Sequence, residues 1–224
     1  MNELTFILEL LGTVAFAVSG ATTAIRKNMD ILGVCVLGIV TAIGGGITRD
    51  VLLGALPPAV FDKPVYLYVA LAAALVMFIP LVRAALFASH RVFELLLLVT
   101  DSVGLGIFAV VGVGASVAAG HGDNMLLCVF MGVLTGVGGG VIRDVLAGDV
   151  PYIFVKHFYA LAAAVGAIVC CLCARFADLG IGYIAGFAVV VVLRLCAAHF
   201  RWNLPHARNV EEKSNPKKDG GSDK

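Results

Sequence analysis

A glycine triplet followed by an Arg-Asp pair occurs twice in this sequence, each time inside a long apolar run. The first copy spans Gly44–Asp50 and the second spans Gly138–Asp144. Each glycine in a helix interior costs about 1 kcal/mol relative to alanine, and charged groups at membrane depth are also costly. Because the chain carries two copies of so costly an element, the motif indicates a function.

The composition of the chain is typical of an integral membrane protein. The 224 residues are 60% hydrophobic and 14% charged, whereas a soluble domain is about 45–50% apolar with about 25% charge. A formal net charge of +1 predicts no nucleic-acid partner. The first apolar run begins beside an acidic residue and is too long for the core of a cleavable signal peptide, so we expect it to remain as a span.

Seven apolar segments predict seven transmembrane helices, because about 20 residues cross the hydrocarbon core of a bilayer. We expect these spans at about residues 4–25, 31–53, 65–82, 92–118, 125–147, 155–174 and 179–198. The polar remainder is rich in Pro, Gly, Ser and Lys, and it predicts a disordered tail.

The first three spans repeat as the next three. Residues around the triplets match at a spacing of 94, Glu9 and its neighbours match Asp101 and its neighbours at 92, and the stretch 70–74 matches 160–164. An odd number of spans in each copy turns the second copy upside down in the membrane. The predicted fold is therefore an all-α integral membrane protein whose parts are a three-helix repeat at 4–83, an inverted repeat at 92–174, a seventh helix at 179–200 and a disordered cytoplasmic tail at 201–224.

The basic residues predict the orientation, because cytoplasmic loops are enriched in Lys and Arg. With the N-terminus outside, the outer loops contain only Lys63 and Arg175. The inner side then receives the basic tail and five loop residues, which are Arg26, Lys27, Arg83, Arg91 and Lys156. We therefore expect a multi-pass protein of the cell (inner) membrane with a cytoplasmic C-terminus.

The two triplets are candidates for the constriction of a transport path. Consecutive glycines loosen the helical hydrogen-bond ladder, and freed carbonyls could replace part of the hydration shell of a cation. The alternative is close helix packing, since small residues line helix contacts in membranes. Two threonines three residues before the triplets either bond the freed carbonyls or line the path. The candidate constriction residues are Gly44, Gly45, Gly46, Gly138, Gly139, Gly140, Thr41 and Thr135.

Charged residues within the spans are candidates for a charged lining or gate. An acidic group near a path attracts cations, and an Arg-Asp pair in a span should face the bundle interior. The Arg-Asp pairs could also be local structural pairs, and Glu9 could be an interfacial anchor. Arg194 lies near the cytoplasmic end of the seventh span and is expected to snorkel. The candidates are Arg49, Asp50, Arg143, Asp144, Glu9 and Asp101.

Catalytic and cofactor sites are not predicted. No combination of nucleophile, base and acid has the spacing of an enzyme site, and the His residues lack the spacing of metal ligands. The six Cys lie within apolar runs, where they are expected to act as small hydrophobic residues. We expect no enzyme, no cofactor and no dedicated metal site, only transient K⁺ along a path.

The doubled triplet motif, the span count and the segment Phe16-Ala17-Val18-Ser19-Gly20 resemble the trimeric intracellular cation (TRIC) channel family in its prokaryotic branch. That branch is also known as a "glycine transporter" domain and as an uncharacterised membrane protein family. The resemblance covers about residues 4–200. It implies a homotrimer with an hourglass-shaped pore in each subunit, constricted by glycine-kinked second and fifth helices and conducting monovalent cations, mainly K⁺. Animal members carry a Lys-Glu-Val tripeptide tied to phosphoinositide lipid, which this sequence lacks.

Two functions therefore remain open. The first is a passive cation channel surrounded by membrane lipids. The second is a secondary transporter of a small zwitterion such as glycine, in which an inverted repeat rocks between two states. A structural membrane protein without transport is a third, weaker possibility.

Overall fold

The computed structural model describes residues 3–87, 89–155, 158–200 and 202, and these residues form helices and no strand. The predicted tail at 201–224 lies outside them apart from Trp202, as does Lys156. The helices are α1 (Glu3–Arg26), α2 (Ile31–Leu52), α3 (Ala59–Asp62), α4 (Val65–Phe78), α5 (Pro80–Phe87), α6 (His90–Ser116), α7 (Met125–Leu146), α8 (Tyr152–Val155), α9 (Tyr159–Phe176) and α10 (Leu179–His199). A π-helical turn at Val117–His121 extends α6.

Six of these helices are long and apolar enough to cross a membrane, namely α1, α2, α6 with its π-helical turn, α7, α9 and α10, and α4 is a shorter apolar helix. The chain is therefore an all-α, multi-pass membrane protein, as its composition predicted. Local signals set the helix starts. Asp30 accepts a hydrogen bond from Gly33 N (2.7 Å) at α2, and Asn124 accepts one from Leu127 N (3.0 Å) at the corresponding position of α7.

Two predicted span boundaries are wrong. The third span was expected to reach residue 82, but α4 ends at Phe78, and Ile79 is extended (φ −57°, ψ 127°). The residue before a proline is disfavoured in the helical region, so Pro80 starts a separate helix. The sixth span was expected from residue 155, but its helix begins at Tyr159, and the four residues before 156 form α8.

The predicted alignment of 70–74 with 160–164 is also wrong, by almost one helical turn. A Cβ built on Gly38 would lie 2.9 Å from the Cβ of Ala74, and one built on Gly132 would lie 3.1 Å from the Cβ of Ala167. Because these two glycines correspond, the two alanines correspond as well, which is a spacing of 93. Alanine-rich helices look alike when shifted by about one turn, so the sequence match at 90 was misleading.

Corresponding helices of the two halves run in opposite directions. A Cβ built on Gly12 of α1 would lie 3.1 Å from the ring of Phe108 in α6, whereas one built on Gly104 would overlap the ring of Phe16. The guanidinium of Arg26, at the end of α1, lies 5.9 Å from the ring centroid of Phe93, near the start of α6. The inverted three-helix repeat, with its boundaries, stays a prediction, and these contacts favour it.

Candidate functional site

The two triplets lie against one another where α2 crosses α7. A Cβ built on Gly45 would overlap the carbonyl oxygen of Thr135, and one built on Gly139 would overlap the carbonyl oxygen of Thr41. A Cβ on Gly138 would lie 3.2 Å from Gly45 Cα. The helices thus meet backbone to backbone, and only glycine fits at the middle of each triplet.

Two of the outer glycines of the triplets meet side chains. A Cβ on Gly44 would lie 2.7 Å from Ile142 Cδ1, and one on Gly140 would lie 2.7 Å from the Tyr159 hydroxyl oxygen. Gly46 has more room, because the nearest atom to its Cβ would be 4.0 Å away, on the guanidinium of Arg49. The triplets therefore serve close packing at the crossing, which was the alternative interpretation of the sequence.

Both helices are α-helical throughout, so the triplets do not interrupt them. The hydroxyl of Thr41 donates to Leu37 O and that of Thr135 donates to Met131 O, each at 2.6 Å. These are bonds to carbonyls one turn back, not to carbonyls freed by glycine. A bend within the unbroken helices, and a role of the triplets as a constriction, stay predictions.

The crossing is flanked by a pair of rings from the two halves. Phe16 and Phe108 have centroids 5.2 Å apart and are tilted by 34°. Both side chains are buried. The two rings therefore pack against each other beside the crossing.

At one end of the crossing, Arg49 and Asp50 form a pair. Arg49 Nε donates to Asp50 Oδ1 at 2.8 Å, and Asp50 Oδ2 accepts from the backbone nitrogen of Ala59 at 2.9 Å. The Asp50 carboxylate therefore fixes both the guanidinium and the start of α3. Nearby, the hydroxyl of Tyr66 donates to the carboxylate of Glu9.

These groups line an open pocket, which we call the vestibule. Its empty volume is ≈ 400 Å³, including space open to the outside. Glu9, Arg49, Asp50 and Tyr66 are among its lining residues, and Phe108 lines it as well. The vestibule thus extends from charged groups at one end of the bundle to the ring pair beside the crossing.

The corresponding groups at the opposite end form a filled cluster, which we call the Arg143 cluster: Asp101, Arg143, Asp144, Tyr159 and Arg194. Arg143 Nε donates to Asp144 Oδ1 and Arg143 Nη1 donates to Asp101 Oδ1, both at 2.8 Å. The hydroxyl of Tyr159 lies 3.3 Å from Asp101 Oδ1. Arg143 and Asp101 are both 0% exposed, so the cluster excludes solvent at this end.

Two further contacts hold the Arg143 cluster together. Arg143 Nη1 also donates to the hydroxyl of Ser19, from α1. Arg194 Nη2 lies 3.4 Å from Asp101 Oδ2, and its guanidinium lies 4.7 Å from the Tyr159 ring centroid. Arg194 is only 4% exposed, so the prediction that it snorkels to the interface is wrong. Asp101 attracts it inward because the other two donors, Arg143 and Tyr159, both bind Oδ1, and the buried Oδ2 also needs a partner.

The two ends differ in charge as well as in access. The vestibule contains the carboxylates of Glu9 and Asp50 with the single guanidinium of Arg49. The Arg143 cluster contains two carboxylates and two guanidinium groups, because α10 adds Arg194. Sequence reasoning missed Arg194, Tyr66, Tyr159 and Ser19; the only signal was that the two tyrosines match at the corrected spacing of 93.

This chain is similar to a known protein family and to several solved structures. A family model described as "Glycine transporter" matches residues 6–81 and 98–175. The "UPF0126 membrane protein YvgT" of Bacillus subtilis is 35% identical over 215 residues, covering 89% of this chain and 95% of that protein.

The solved structures are described as cation channels. One comes from work on "conductance through TRIC cation channels" and is 38% identical in sequence, with a TM-score of 0.75. The match covers 91% of this chain and 97% of that chain. The "TRIC trimeric intracellular cation channel orthologue from Rhodobacter sphaeroides" is 34% identical with a TM-score of 0.79. This match covers 90% of this chain and 100% of that chain. The fold is that of a multi-pass helical membrane protein, and it matches solved structures that are described as cation channels. The chain belongs to the trimeric intracellular cation (TRIC) channel family, as the doubled motif predicted.

Proposed function

We propose that the chain is a passive channel for monovalent cations, K⁺ above all, with a separate path inside each subunit of a homotrimer. The observation that carries this proposal is the vestibule, an open pocket with two carboxylates and one guanidinium that leads to the crossing of α2 and α7. A net negative mouth attracts cations and repels anions. The likeness to solved cation channels supports the same function.

The path is narrowest at the crossing, where the residues predicted from the sequence come together. The triplets, with Thr41 and Thr135 beside them, form the constriction, and a bend at the glycines opens it. Arg49 and Asp50 line the vestibule with Glu9. Asp101, Arg143 and Asp144 act as the gate at the opposite end, which is closed in the arrangement described above.

The orientation proposed from the loops is an outer N-terminus and a cytoplasmic C-terminus in the cell (inner) membrane. An ion pair between Arg26 and Asp149 (3.0 Å) joins the end of α1 to the loop after α7, and this orientation puts both on the cytoplasmic side. The vestibule then faces outward and the Arg143 cluster faces the cytoplasm.

A second candidate is a secondary transporter of a small zwitterion such as glycine. It is favoured because the bundle is open to the outside at the vestibule and closed at the Arg143 cluster, and alternating access requires a site that is open to one side of the membrane at a time. Arg49 could bind a carboxylate and Glu9 an ammonium group in the vestibule.

Single-channel recording of the purified protein in planar bilayers with a KCl gradient tests the first candidate. We expect unitary steps with a reversal potential on the cation side. Glu9→Gln keeps a hydrogen-bond acceptor for Tyr66 but removes the charge, so conductance at low salt should fall several-fold, since unit charges 4 Å apart interact by about 1 kcal/mol in water. Glu94→Gln, at an exposed position near the start of α6, is the control and should change nothing.

Saturable glycine uptake into proteoliposomes without unitary steps would instead establish the transporter. An unchanged low-salt conductance in Glu9→Gln would remove the vestibule charge from the mechanism.

A further inference from the structure

Two cysteines of the second half, Cys128 in α7 and Cys171 in α9, lie opposite each other where these two helices pack together. These helices run antiparallel and approach closely at Gly132 and Ala167, where a Cβ on the glycine would lie 3.1 Å from the alanine Cβ. Cys128 lies one helical turn from Gly132 toward the start of α7. Cys171 lies one turn from Ala167 toward the end of α9. In an antiparallel pair these two positions are opposite each other.

The contacts agree with this placement. Cys128 is 1% exposed and belongs to an apolar cluster with Val113 and Ala167, against which the half-buried Cys171 packs. The Cys128 thiol donates to the carbonyl oxygen of His121 at 3.4 Å. Both cysteines are free.

The neighbouring Cys170 faces another helix. A Cβ built on Gly186 of α10 would lie 3.0 Å from the Cβ of Cys170, and one built on Gly182 would lie 3.4 Å from its sulfur. Cys170 fills the contact of α9 with α10. It is therefore Cys171 that is presented to α7.

The cysteine pair is a property of the second half alone. At the spacings that relate the two halves, Cys128 corresponds to Val34 and Cys171 to Phe78, which pack together in the apolar core of the first half. The pair lies near an end of the bundle, since Cys128 is three residues from the start of α7 and Cys171 five from the end of α9. At 1.5 Å per residue, both thiols are within about 8 Å of a helix end.

We propose that Cys128 and Cys171 form a redox modification site, at which oxidation to a disulfide fastens α7 to α9. The co-reactant is a disulfide-bearing thiol oxidant of the membrane. The half-buried Cys171 gives up its proton and its thiolate attacks the oxidant, forming a mixed disulfide and releasing one oxidant thiolate. Cys128 then gives up its proton, and its thiolate attacks the Cys171 sulfur of the mixed disulfide and displaces the second oxidant thiolate. The oxidant has thus taken two electrons and, with the two released protons, ends as a dithiol.

The consequence for transport rests on the proposed function. The same helix α7 carries Gly139 at the crossing and Arg143 in the cluster at the opposite end. A disulfide requires its Cα atoms to lie about 4.4–6.8 Å apart, which limits any sliding of α7 along α9. The oxidised channel should therefore switch less often between its closed and open arrangements.

The covalent part is tested by mass spectrometry on the purified protein in proteoliposomes. The protein is treated with diamide, its remaining thiols are alkylated, and its peptides are analysed. We expect a Cys128–Cys171 linked peptide that disappears after reduction and is absent from Cys128→Ala and Cys171→Ala. Cys35→Ala and Cys196→Ala are the matched controls and should leave it unchanged. Full alkylation of both thiols, or a link of either to another cysteine, overturns the proposal.

Bilayer recording on the same samples tests the consequence. We expect at least a threefold fall in opening frequency after oxidation, restored by reduction, and no change in Cys128→Ala or Cys171→Ala. An unchanged opening frequency in protein whose disulfide has been verified overturns the regulatory part. A verified disulfide in protein that gives no currents in either redox state supports the modification site and overturns the proposed channel function.

Discussion

Replacing Arg194 with glutamine should make the channel open more readily. Arg194 is the one guanidinium of the Arg143 cluster that comes from α10, and it reaches Asp101 Oδ2 at 3.4 Å and the Tyr159 ring at 4.7 Å. Arg194→Gln removes both contacts. Asp101 keeps its bond to Arg143 at 2.8 Å, so the fold should survive the change.

The size of the effect follows from these contacts. A hydrogen bond to a charged group contributes about 1.5–3 kcal/mol, and the long distance puts this one near the lower limit. A desolvated cation–π contact adds about 1 kcal/mol or somewhat more. If the open arrangement keeps neither contact, the closed one loses about 2.5 kcal/mol, and because 1.4 kcal/mol is tenfold, the ratio of open to closed channels rises about 60-fold at most.

The assay is open probability in planar bilayers under symmetrical KCl. Arg194→Lys keeps the positive charge and should lie between wild type and Arg194→Gln. Arg175→Gln removes an exposed arginine at the end of α9 and serves as the control. An open probability of Arg194→Gln equal to or below that of wild type, in protein that unfolds at a normal temperature, would refute the reasoning.

Two further predictions concern stability. Gly139→Ala should lower the unfolding temperature markedly and reduce the free energy of unfolding by about 1–3 kcal/mol, because its Cβ would overlap the Thr41 carbonyl oxygen. Gly46→Ala, in the other triplet, has room for a Cβ and should be neutral or stabilising. Equal effects of the two substitutions in thermal unfolding would contradict the packing argument. A hydrogen bond from Lys27 lowers the pKa of Asp149, in the loop after α7, below its usual value of 3.8. Its carboxylate therefore stabilises the fold above that pH and ceases to do so as the pH falls through the lowered pKa. Asp149→Asn should cost at most about 1 kcal/mol at pH 7, since the pair is partly exposed, and this cost should disappear as the pH falls through the lowered pKa; a pH-independent difference in unfolding temperature would argue against the ion pair.

Sequence reasoning succeeded where a signal was duplicated. Gly45 and Gly139 were chosen together as constriction candidates because the same rare motif occurs twice at a fixed spacing, and the two glycines do lie at one helix crossing. A repeat carries information about positions far apart in the chain. Hydropathy was enough for the membrane fold, since only helices of about 20 apolar residues fit the bilayer. The roles of the glycines and of the Arg-Asp pairs in transport stay predictions.

The failures occurred where the signal was single or uniform. Arg194 has no counterpart in either half, so nothing in the sequence linked it to Asp101, and a charge near a span end is usually expected to reach water. The alanines of α4 and α9 are alike at every turn, so their alignment was ambiguous and the partnership of Tyr66 with Glu9 was hidden. Pro80 was visible, but the apolar run around it was taken as one span.

The helix that belongs to neither half gives the molecule a direction. Two matching halves facing opposite ways would present equivalent mouths to the two sides of a membrane, and such an assembly could not tell inside from outside. In the proposed channel, α10 adds one guanidinium to one end of the bundle and balances the charge of the buried cluster there, while the vestibule at the other end stays negative and open. On this proposal, polarity across the bilayer depends on a single appended helix, and a regulator that displaces α10 would act on one face of the membrane without touching the other.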